Sequence, residues 1–113
     1  NAPSSHSGMT PMQYAASRGH LEVVQMLADQ FNAFVDIADR EGETALLKAA
    51  YNGHLPVVQC LVQRRANVHH RDRDGWTALH NACGRGHLRI VQHLVEHGSA
   101  NIDVQSQQGH TPL

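Results

Sequence analysis

The chain has 113 residues and is 41% hydrophobic, enough for one modest core and too little for a multidomain enzyme. Nine Lys plus Arg against ten Asp plus Glu leave a net charge of -1, so no basic excess points to nucleic acid and no acidic block to a solvating tail. Two cysteines exclude a disulfide framework, and with no charged, apolar leader they predict a reducing intracellular setting, cytoplasm or nucleus. Apolar runs of a few residues predict no membrane insertion.

Residues 1–6 form an N-terminal extension without pattern. From Ser7 onward a period organises the chain. Gly8-Met9-Thr10-Pro11-Met12, Gly42-Glu43-Thr44-Ala45-Leu46, Gly75-Trp76-Thr77-Ala78-Leu79 and Gly109-His110-Thr111-Pro112-Leu113 begin at glycines 34, 33 and 34 residues apart. Gly19-His20-Leu21, Gly53-His54-Leu55 and Gly86-His87-Leu88 keep the same step. Three full units therefore run over 7–40, 41–73 and 74–107, and 108–113 opens a fourth.

Each unit predicts two helices. The first starts after Thr10, Thr44 or Thr77, residues suited to an N-cap, with Pro11 at the first helical position of unit one. It stops at Gly19, Gly53 or Gly86, where glycine tolerates the left-handed backbone that ends helices. A second helix follows at once, its buried stripe read as Leu21, Val24, Leu27 and Ala28, then Leu55, Val58, Leu61 and Val62, then Leu88, Val91, Leu94 and Val95. The loops end in Asp39-Arg40-Glu41-Gly42 and Arg73-Asp74-Gly75, turn chemistry that suits protruding hairpins. Helices of roughly 8 and 10 residues do not persist alone, so neighbouring units must stabilise them, and the pattern specifies an all-α solenoid.

The residues that carry this pattern resemble the ankyrin repeat family. Gly42-Glu43-Thr44-Ala45-Leu46-Leu47-Lys48-Ala49-Ala50 and Trp76-Thr77-Ala78-Leu79-His80-Asn81-Ala82-Cys83 are similar to its first-helix motif, and Gly19-His20-Leu21-Glu22-Val23-Val24 to its second. The family's glycine after the second helix is matched by Gly98 alone, with Phe31 and Arg65 at the other two places, so those helix ends are expected to be less ideal. One extra residue near Phe34-Val35-Asp36 and another near Ser99-Ala100-Asn101 predict bulged hairpins. The first unit is not polar like a cap, and the chain ends inside a fourth first helix. A monomeric segment of a larger protein is the expectation.

Chemistry-bearing residues are weighed against this frame. The resemblance implies structural roles for His20, His54, His87 and His80, with ring nitrogens bonded to backbone and to the neighbouring unit. His93 and His97 stand four apart, as two imidazoles on one metal would, but lack further ligands at suitable spacing, so no metal or cofactor is expected. Cys60 and Cys83 read as inert core thiols, and without a phosphate loop or nucleophile elbow no catalysis and no small-molecule substrate are expected. Arg64-Arg65 and Arg71-Asp72-Arg73 are diluted by acidic neighbours, so no nucleic acid is expected. At the loop places that some ankyrin repeats hydroxylate stand Asp36, His69 and Asp103, so that modification is not expected here.

Positions that vary between units while the framework repeats are the better pointer to function. On the first helices these are Tyr14, Ser17 and Arg18; Lys48, Tyr51 and Asn52; and Asn81, Gly84 and Arg85. At the loop tips they are Met9; Arg40, Glu41 and Glu43; Arg73, Asp74 and Trp76; and Gln107, Gln108 and His110. The resemblance implies that both sets line a concave groove where another protein binds. Trp76 and Tyr51 are two of five aromatics, and Arg18, Arg40, Arg73 and Arg85 are half of the arginines, residue types that dominate interface energetics. The expected function is a non-catalytic protein interaction module. The alternatives are a structural spacer in a longer array and a substrate-recruiting segment of a larger enzyme.

Overall fold

The computed structural model describes residues 9–31 and 35–97. It contains six helices in chain order: α1 (Pro11–Arg18), α2 (Leu21–Gln30), α3 (Ala45–Asn52), α4 (Leu55–Gln63), α5 (Ala78–Arg85) and α6 (Leu88–His97). First helices stack on first helices and second on second, α1 against α3 against α5 and α2 against α4 against α6. The fold is the all-α repeat stack that the period predicts. No strand occurs among the described residues.

The threonine caps do what their position requires. Thr10 Oγ1 accepts the Gln13 N–H at 3.1 Å, Thr44 Oγ1 that of Leu47 at 3.4 Å, and Thr77 Oγ1 that of His80 at 3.2 Å. In α1 and α5 the bond is returned: Gln13 Oε1 accepts the Thr10 N–H at 2.9 Å and His80 Nδ1 that of Thr77 at 3.2 Å. Leu47 has no polar atom to return, so α3 is capped from one side only. Gln13 Nε2 also donates to the carbonyls of Ile37 and Glu43, tying α1 to the turn that leads into unit two.

Two further histidines do similar tying. His54 Nε2–H donates to Ser17 O at 3.0 Å and His87 Nε2–H to Tyr51 O at 3.1 Å, so each ring reaches the first helix of the preceding unit. A carbonyl can only accept, which fixes the proton on Nε2. The rings lie against Gly19 (φ 75°) and Gly53 (φ 81°); a Cβ on Gly19 would come within 2.6 Å of His54 Nδ1. Glycine is therefore needed there twice over, for the left-handed backbone and for the space.

The core runs through the stack as Leu46, Leu47, Leu61, Leu79, Ile90 and Leu94, each almost fully buried, with Ala15, Ala16, Ala49, Ala50 and Ala82 letting first helices approach closely. Two positions of the expected stripe depart from it: Leu88 is 77% exposed and Val95 is exposed too, while Leu21, Leu27, Leu55, Val62 and Val91 are partly buried. The reason is position in the stack. Leu55 shares a cleft with Arg89 and His93 of α6, whereas no described element lies beyond α6 to cover Leu88.

The helix ends without glycine differ as their residues demand. At the end of α4, Arg65 takes the left-handed backbone (φ 66°) that glycine adopts at no steric cost, whereas α2 closes on Phe31 at negative φ (φ -133°, ψ 53°), without a left-handed residue. Residues 1–6, Gly98, the loop insertions at Phe34 and Ser99, Gln107 at the end of the third unit, and the opening of the fourth unit including Gln108 and His110 lie outside the described residues.

Candidate partner-binding groove

Two loop tips and the first helices bring most of the varied residues together. Each tip is organised by one aspartate. Asp39 Oδ1 accepts the N–H groups of Glu41 (2.9 Å) and Glu43 (3.0 Å), and Asp72 Oδ1 those of Asp74 and Trp76, both at 2.9 Å. Such a turn leaves the residues at its summit turned away from the core. The tips are also joined to each other: the Arg73 N–H donates to Glu41 O at 3.1 Å, Arg73 Nη1 to Arg40 O at 3.0 Å, and His70 Nε2 to Gly42 O at 2.8 Å.

Between the second and third units the groove deepens into a cleft of about 310 Å³ lined by Glu43, Tyr51, Asp72, Trp76, His80, Asn81, Gly84 and Arg85. The Arg85 guanidinium lies 4.6 Å from the centre of the Tyr51 ring, and Trp76 meets His80 edge to face at 5.0 Å. Asn81 donates to Leu47 O at 3.3 Å, bridging α5 to α3 beneath the cleft. In unit one, Arg18 lies over Tyr14 at 5.8 Å, and Ser17 Oγ donates to Tyr14 O at 2.9 Å. Asn52 is exposed beside Tyr51, with Nδ2 bonded to Lys48 O. Met9 is half-buried, and Arg40, Glu41, Arg73 and Asp74 are exposed at the tips.

Lys48 departs from the expectation that it faces a partner. It is 8% exposed, and its Nζ donates to Asp39 Oδ2 and to Glu43 Oε1, both at 2.8 Å. Burial opposes its charge, but the two carboxylates outweigh that and hold the ammonium above its ordinary 10.5. It braces the loop tip from inside. Asp72 and His80, which the reading of varied positions passed over, line the cleft; Asp72 repeats Asp39 one unit on, and that correspondence was the available signal.

Other groups fall outside the groove. His93 and His97 stack with ring centres 4.8 Å apart on α6, and burial, then the neighbouring His97, pushes the His93 imidazole below its usual range against the pull of Glu96. Among the described residues no three His, Cys, Asp or Glu side chains converge as metal ligands. Cys60 is buried and Cys83 half-buried; desolvation pushes the Cys83 thiol up, away from the thiolate a nucleophile needs. At the opposite end of the stack from α6, Thr10, Pro11, Met12, Leu27, Phe31 and Ile37 line an almost wholly apolar cleft of about 310 Å³. No described helix is long and apolar enough to cross a membrane.

The comparisons agree with this architecture. The profile for ankyrin repeats (3 copies) matches residues 1–72 and 49–113, which together span the chain. Among curated proteins, the FYVE zinc finger domain protein UPA1 of Mycosarcoma maydis is 48% identical over 48 residues, covering 42% of this chain and 4% of that relative. The chain thus spans a small part of that relative's length. With its period, its glycine-ended first helices and its family match in agreement, the chain belongs to the ankyrin repeat family, whose repeats are generally protein–protein interaction modules.

Proposed function

We propose that this segment binds a peptide or a folded protein in the groove formed by its first helices and loop tips, with no chemistry of its own. The observation that carries the reading is the cleft between units two and three, where Trp76, Tyr51 and Arg85 converge. These are the residue types that concentrate binding energy, because they give large contact area or planar hydrogen bonding for little lost rotamer freedom. The contact set around that centre is Met9, Tyr14, Ser17, Arg18, Arg40, Glu41, Glu43, Asn52, Arg73, Asp74 and Asn81, with Lys48 as an internal brace; His110, outside the described residues, joins it on the loop pattern of the sequence alone. Free Cys60 and Cys83 suit a reducing cytoplasmic or nuclear setting.

A Trp76→Ala/Tyr51→Ala variant, shown by circular dichroism to be as folded as the parent, tests this. A protein captured from reducing extract by the parent should be lost with the variant, since truncating an anchor such as Trp76 removes about 2 kcal/mol or more of binding energy. Equal capture by both would move the binding site off this groove.

The second reading, a spacer within a longer array, is favoured by the apolar cleft of unit one. Thr44, Ala45 and Leu61 are each at most 1% exposed beneath unit one, whereas of the matching residues Pro11 is exposed and Thr10 and Leu27 are half-buried. An open copy of an inter-unit interface suits a further stacked unit.

A further inference from the structure

Arg18 and Arg85 hold the same place in their units, the last residue of a first helix. Each guanidinium lies over a tyrosine, Arg18 over Tyr14 at 5.8 Å and Arg85 over Tyr51 at 4.6 Å. Stacking of this kind orders a planar cation while leaving its N–H edge able to donate. Neither arginine has a carboxylate within ion-pair distance among the described residues. Both side chains are exposed.

The acids that line the cleft, Glu43 and Asp72, are engaged within their own loop tips, while Glu41 and Asp74 are exposed at the summits. Asp39 and Glu43 share the Lys48 ammonium at 2.8 Å each, and Asp72 Oδ1 accepts two backbone N–H groups of its own turn. These carboxylates belong to the loop tips, whereas the arginines stand at the helix ends. The cleft therefore repels anions from one wall and offers them hydrogen-bond donors at the other. Unit two places neutral Asn52 between the two cations.

We infer that the row Arg18, Asn52, Arg85 docks an acidic segment of the partner, Asp or Glu carboxylates seating on the two guanidiniums and an apolar neighbour seating against Trp76. Two ordered cations separated by a neutral unit match carboxylates spread along a polypeptide better than a single compact anion. The inference rests on the groove reading above and deepens it by stating the partner's chemistry.

The test is selection from a phage-displayed random peptide library on the parent chain, with binding of the enriched peptides then measured by titration calorimetry on every variant and, in the chains that keep it, followed through Trp76, the single tryptophan of the chain. Parent-selected peptides should be enriched in paired Asp or Glu and change Trp76 emission on binding. They should weaken at least about tenfold on an Arg18→Gln/Arg85→Gln variant of unchanged circular dichroism, and weaken as salt rises. Peptides without acidic enrichment that are lost with Trp76→Ala would overturn this inference and leave the groove reading standing. Peptides indifferent to all three substitutions would overturn both, and failure to enrich any acidic peptide counts against the inference as well.

Discussion

Unit one and unit two are built from matching residues, yet they meet different surroundings. Thr44, Ala45 and Leu61 are sealed, with exposures of 0%, 1% and 0%, because α1 and α2 lie across them. Thr10, Pro11 and Leu27 hold the same places and border an open apolar cleft, with Phe31 46% and Ile37 37% exposed beside them. A repeat residue's identity comes from its own unit, but its burial comes from its neighbour. Stability in such a stack is therefore a property of interfaces, and the same substitution should read differently in different units.

The largest contrast should come from leucines at one repeat position. Leu61→Ala opens a cavity in a sealed site and should remove about 3–4 kcal/mol in urea unfolding, whereas Leu27→Ala, at a half-open site, should remove about 1–2. Equal losses would break the comparison. Next is the buried brace. Lys48→Met leaves Asp39 buried without its cation and should remove about 2–3 kcal/mol. Since the folded-state pKa of Lys48 is raised, its contribution is fully present below 10.5 and is lost as pH rises through the higher folded value, so parent and variant should converge in strongly alkaline solution.

Glycines sharpen the same point at smaller scale. Gly19→Ala meets both a left-handed backbone and the His54 ring, and should cost about 2 kcal/mol or more. Gly86→Ala meets the same backbone (φ 76°) with nothing within 4 Å of the added carbon, and should cost about 1. Melting curves of the pair separate strain from collision. Smallest, and opposite in sign, Arg65→Gly should stabilise by about 0.5–1 kcal/mol by relieving the left-handed arginine that ends α4.

The spacing of threonines and glycines was enough to place α1, α3 and α5, because capping and helix termination are local chemistry that a single residue carries, and the apolar period after each glycine placed α2, α4 and α6. The histidine ties were legible only through the family resemblance. What the sequence hid depends on neighbours. Lys48 stands where a varied, outward residue belongs, but Asp39 and Glu43 draw it under the loop tip, and no periodicity reports an ion pair. Leu88 fits the buried stripe and is exposed because α6 has no described neighbour beyond it. Asp72 was legible in principle, as the one-unit repeat of Asp39.

The central claim, that the groove between loop tips and first helices receives the partner, is tested most directly by mapping amide shifts of the labelled chain on titration with a captured partner or selected peptide. The account predicts shifts gathered on Tyr51, Trp76, Asn81 and Arg85, extending to Arg18. Shifts gathered instead on the outer residues of the second helices, such as Glu22, Met26 and Gln59, would contradict it.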